Sequence, residues 1–150
     1  MKIRILGLAV LIALFASFAL HAQEPKKQPK EETELEGKME KMGKAWKQLK
    51  RQVKDVSKNA ESLELVATIR AASEEASKLT PAMAADIPAA DRAKFVADYQ
   101  AGVKKLIVEL GKLEAALKAD KNDEAVKLVA DIGALQKAGH KEFKRPDEKK

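Results

Sequence analysis

At 150 residues, with a formal charge of +6, 35% charged side chains, no cysteine and 4% aromatics, the chain has length for one hydrophobic core and nothing to cross-link it. Disulfides and cysteine chemistry are excluded, and so few aromatics leave little to stack on nucleic-acid bases. Lysines and carboxylates are interleaved rather than segregated, the pattern of a solvated helical surface.

Residues 1–22 place Lys2 and Arg4 ahead of an almost unbroken apolar run from Ile5 to Leu20 that ends in small residues. This reads as a secretory signal peptide, cleaved after Ala19 or after Ala22. A membrane anchor competes with it, because the run sits at the lower edge of the roughly 17 to 25 residues that span a bilayer. Small residues at the right place and the lack of a basic stop signal favour cleavage, which lowers the formal charge from +6 to +4 and leaves no membrane insertion. Residues 23–34, QEPKKQPKEETE, hold two prolines, many charges and no large apolar side chain, and read as a flexible leader.

Order is expected from Leu35. Leu35, Met39, Met42, Trp46, Leu49, Val53 and Val56 alternate steps of four and three, the seam of a helix packed in a bundle. Asn59 is expected to cap a second helix striped by Leu65, Ile69, Ala72, Ala76 and Leu79, which TPAMAADIPAAD interrupts with Pro81 and Pro88. Asp91 is expected to cap a third helix carrying Tyr99, Val103, Leu106, Leu110, Leu113 and Leu117. After the turn KADKND, Asn122 should cap a fourth helix with Leu128, Val129, Ile132, Leu135 and Phe143, ended by Pro146. Nothing alternates with the period of a strand. The fold class is all-α, an up-down-up-down four-helix bundle over residues 35–145, with a charged tail at 146–150.

In such a bundle the start of the first helix and the end of the fourth share one end. Met39 lies about 8 Å into the first and His140 about 6 Å from the end of the last, at 1.5 Å per residue. A thioether and an imidazole facing each other there can fill both axial positions of a haem iron, suiting it to single-electron transfer rather than to oxygen or substrate binding. Taken alone, the same two residues read at least as well as a core methionine and a surface histidine favoured by the helix dipole. Enzyme chemistry has no parts here: beyond residue 22 the sequence has one histidine, no glycine-rich phosphate loop and no nucleophile paired with a base.

LEGKMEKM at 35–42, IRAASEEASKLTP at 69–81 and HKEFK at 140–144 resemble, in that order, parts of the cytochrome b-562 family, periplasmic four-helix haem proteins. The most specific portion is the pattern about Arg70, Ala71, Ala72, Thr80 and Pro81. The resemblance implies that Met39 and His140 are axial ligands of a non-covalent haem b, that Met42 lies beside the first ligand, and that Pro81, Tyr99 and Val103 line the pocket. It implies electron transfer in the periplasm, as a monomer, to an unidentified redox protein, with no nucleic acid as partner. The family's arginines one turn either side of the histidine are Gln136 and Lys144 here; lysine keeps a point charge for a haem propionate but loses the planar fork. Covalent attachment is excluded, since Gln136 and Gly139 stand where cysteines would be needed. The alternative from a different class is a haem-free helical bundle with a structural or protein-binding role.

Overall fold

The computed structural model describes residues 33–145; the expected signal peptide, most of the expected leader, Pro146 and the charged tail lie outside the described residues. Four helices follow one another: α1 (Glu34–Gln52), α2 (Asn59–Ala76), α3 (Ala89–Lys118) and α4 (Asn122–Phe143), with 3₁₀ turns at Val56–Lys58 and Ala82–Asp86. No strand occurs among the described residues. The expected up-down-up-down bundle is observed, with the longest link between α2 and α3.

Each helix begins for a local reason. Thr33 caps α1 through a capping box, its Oγ1 accepting from Glu36 N at 3.2 Å while Glu36 Oε2 accepts from Thr33 N at 2.8 Å. The three expected caps are corrected. Pro88 occupies the cap position of α3, so Asp91 falls in the first turn, where its charge meets the positive end of the helix dipole. Lys58 and Lys121 precede α2 and α4 without side-chain caps, because Asn59 and Asn122 turn inward to pair with each other. Val56 is also displaced from the expected seam. α1 stops at Gln52, and Asp55 accepts from Ser57 N and Ser57 Oγ to start the 3₁₀ turn, leaving Val56 52% exposed.

The core runs through the middle of the bundle. Leu49, Val66, Leu110, Leu113 and Ala125 are fully buried, and Trp46, Ile69, Leu117 and Ile132 nearly so. Complete burial of one such large aliphatic chain stabilises by about 1.5–3 kcal/mol. Val66 and Ala125 were not among the stripe positions read from sequence; both face a neighbouring helix one step from a residue that was.

Sequential neighbours pack along their lengths, whereas α1 and α4 approach each other at few points. At one end that seam is closed by a polar network. Asn59 Nδ2 donates to Asp120 Oδ1 at 2.8 Å, Leu117 O at 3.2 Å and Asn122 Oδ1 at 3.1 Å. Asn122 Nδ2 in turn donates to Val53 O at 2.7 Å and Asn59 Oδ1 at 2.8 Å, tying the end of α1 to the start of α4. Asp120 takes the left-handed conformation at φ 55°, which lets the turn close tightly enough to present its carboxylate. No buried side-chain nitrogen or oxygen among the described residues is left without a partner.

Candidate functional site

The bond from Asn122 to Val53 sets the register of α1 against α4. Met39 is fourteen residues before Val53, about 21 Å at 1.5 Å per residue, and His140 is eighteen after Asn122, about 27 Å. Their backbones are therefore offset by about 6 Å. Side chains lean toward the N-terminus of their own helix, and these helices are antiparallel. Met39 leans toward the open end and His140 back from it, so the offset narrows at the side chains. Trp46 shows the same lean: its Cζ2 comes to 3.9 Å from the Cβ position of Gly133, four residues beyond the level the backbone register assigns it.

Met39 is half-buried and packs against the core, while His140 is exposed in the last turn of α4. A Cβ built on Gly43, one turn after Met39, or on Gly139, beside His140, meets no atom within 4 Å. A side chain added at either glycine would therefore meet no neighbouring element. Gly111 also faces open space, on α3, whereas Gly102 and Gly133 sit under the rings of Phe143 and Trp46 at 3.9 Å and so have a packing role. Lys144 follows His140 at the end of α4 and donates its backbone N–H to His140 O at 3.1 Å.

Met42 is 7% exposed and belongs to the core. Ser73 Oγ lies 3.0 Å from Met42 Sδ and 2.8 Å from Ile69 O, so its single proton is shared between the sulfur and the carbonyl one turn back. A sulfur held this way is a poorer donor than the half-buried thioether of Met39. The sequence carried no signal for Ser73, because a mid-helix serine usually bonds its own backbone and nothing more.

Pro81, Tyr99 and Val103 are buried at the same end, Tyr99 and Val103 standing outside the continuous core. The Tyr99 hydroxyl donates to Ala76 O at 3.0 Å, and burial pushes its pKa up to about 12. Phe143, one turn past His140, meets Tyr99 edge-on at 5.6 Å and Phe95 at 5.3 Å between ring centroids. The loop before α3 is tied down on both sides. Arg92 donates to Ala84 O at 2.9 Å and Ile87 O at 3.1 Å, and Arg145 clasps both oxygens of Asp86 at 2.7 and 2.9 Å. The aromatic cluster and this clasp anchor the last turn of α4, which carries His140. Phe95 and Asp86 were missed from sequence, since a lone aromatic and a loop aspartate have no periodic signature.

A groove of about 480 Å³ also runs between α1 and α4, beginning at Trp46 and Gln136 and continuing toward the closed end. Neither Met39 nor His140 lines it. Among the described residues no cluster of histidine, cysteine or carboxylate side chains could hold a metal ion unaided.

A family model for cytochrome b562 matches residues 34–144, the whole of the described bundle except its first cap and last residue. No curated protein and no solved structure matches the chain significantly. With four antiparallel helices, a loose α1–α4 seam and a match of that extent, the chain belongs to the cytochrome b562 family of haem-binding electron carriers.

Proposed function

We propose that this chain carries electrons in the periplasm and holds one non-covalent haem b between Met39 and His140. The observation that supports the reading best is the family match over residues 34–144, beside a helix register that puts Met39 and His140 near the open end of the loosely packed α1–α4 seam. The haem iron, when bound, supplies reversible one-electron exchange. Met39 would donate its sulfur and favour the ferrous state; His140 would donate a neutral ring nitrogen. With Met39 and His140 both holding the iron, no position on it would be left for substrate. Lys144 would offer a point charge to one propionate, and Met42, Pro81, Tyr99 and Val103 would supply apolar surface that keeps water from the ring. A monomer passing electrons to an unidentified redox protein, without nucleic acid or membrane insertion, completes the reading. Export rests on residues 1–22.

A haemin titration of the mature chain tests this, with oxidised and reduced absorption spectra recorded beside emission from Trp46, the lone tryptophan. One-to-one binding, sharp low-spin bands and quenched emission are expected. Met39→Ala should give a high-spin or water-ligated iron, and His140→Ala should lose most of the haem. A flat titration of a well-folded helical chain, or unchanged low-spin spectra in both variants, would replace this function with that of a haem-free bundle.

A further inference from the structure

The groove between α1 and α4 has a chemistry of its own. Its walls are apolar, with Trp46 and Val53 on one side and Val126 and Val129 on the other. The Trp46 indole packs across Gly133, its Cζ2 3.9 Å from the glycine's Cβ position, and Val126 is 38% exposed. Its volume of about 480 Å³ lies largely open to solvent along one side, so a bound chain would be covered on the helix side only.

The lip is cationic. From Lys41 to Lys54 the chain carries six lysines and arginines and no carboxylate, in contrast to the interleaving elsewhere. Lys50 and Lys54 stand one turn apart at the groove, and neither has an ion-pair partner among the described residues. At that spacing both ammonium groups can reach a single carboxylate. The groove-facing positions of α4, Val126, Ala130 and Gly133, bring no charge to compete. Lys50 is eleven residues from Met39, about 16 Å along α1, which sets this feature apart from the haem ligands.

We infer that this groove binds a single long-chain carboxylate, the hydrocarbon lying along Trp46 and Val129 and the head group held by Lys50 and Lys54. Apolar burial would supply most of the affinity and the two lysines the selectivity for an anion. The inference does not depend on haem binding.

The test is calorimetry of the full mature chain with laurate below its micelle concentration, with and without haem, alongside Trp46 emission in the haem-free form. Dodecanol and phosphatidylglycerol vesicles serve as comparisons. One-to-one saturable binding of laurate is expected in both forms. Dodecanol should bind about tenfold more weakly, and the paired substitution K50E/K54E should weaken laurate by a similar factor, since two exposed ion pairs together are worth about that much. Gly133→Leu should abolish binding by filling the groove; the surface pair keeps the test decisive if that variant fails to fold. Equal affinity for laurate and dodecanol, indifference to K50E/K54E, binding to vesicles alone, or stoichiometric displacement of laurate by haem would each overturn the assignment.

Discussion

The two ends of the bundle are built for opposite purposes. At the closed end, Asn59 and Asn122 exchange amide hydrogen bonds and bind backbone carbonyls of Val53 and Leu117, so α1 and α4 are joined through buried polar groups. At the open end the same helices present a half-buried thioether, an exposed imidazole and two glycines with empty space before them. Stability is thus concentrated away from the proposed haem, and Met39 and His140 sit where their removal costs the fold little. That division lets a four-helix chain without disulfides stay folded while one end of a seam remains accessible.

The comparison breaks first at the closed end. Leu117→Ala, at a fully packed position beside the asparagine pair, is expected to lower the unfolding free energy by about 3 kcal/mol in urea titrations. Asn122→Ala should cost about 2 kcal/mol, because it leaves the acceptors Val53 O and Asn59 Oδ1 buried without their donor. Neither change should alter haem affinity under conditions where the variant is folded; a parallel loss of haem binding would show that the two ends are coupled.

At the open end the effects shrink or change sign. Gly139→Ala should stabilise the haem-free chain by about 1 kcal/mol, since alanine is the better helix former and its Cβ meets nothing. The same substitution should weaken haemin binding if the space is used by the ring. Tyr99→Phe removes the donor to Ala76 O and should cost about 1 kcal/mol. Because the hydroxyl's pKa is raised from 10.0 to about 12, the folded state retains a proton that the unfolded state releases. Stability from this group is complete below pH 10.0 and is lost as pH rises toward about 12. With a single tyrosine in the chain, phenolate absorbance reads the transition directly. Smallest of all, His140→Ala should move the stability of the haem-free chain by no more than about 0.5 kcal/mol, as expected for an exposed side chain. A loss several times larger would make His140 a structural residue.

The helices were legible because their apolar steps of three and four repeat over many turns, and the stripe of α3 from Tyr99 through Leu117 is nearly all buried. Helix starts were less legible. Asparagine before a periodic run signals a cap, yet at Asn59 and Asn122 a partner sixty-three residues away in sequence outcompetes the local backbone. Met39 and His140 could be singled out from chain order, since an even number of passes returns the end to the beginning. The Ser73 proton on the Met42 sulfur, the Arg145–Asp86 clasp and the edge-on rings of Phe95, Tyr99 and Phe143 could not, for each joins residues with no periodic relation.

Periodicity along one chain is a local property. By itself the sequence therefore determined that four amphipathic helices form, where Pro81 and Pro88 interrupt them, and which two residues share an end of the bundle. Which seam is tight and which is loose depends on the rotation of each helix against its neighbours. Only the tertiary structure decided that α1 and α4 are joined through Asn59 and Asn122 at one end, stand apart at the other, and leave between them a groove edged by Lys50 and Lys54.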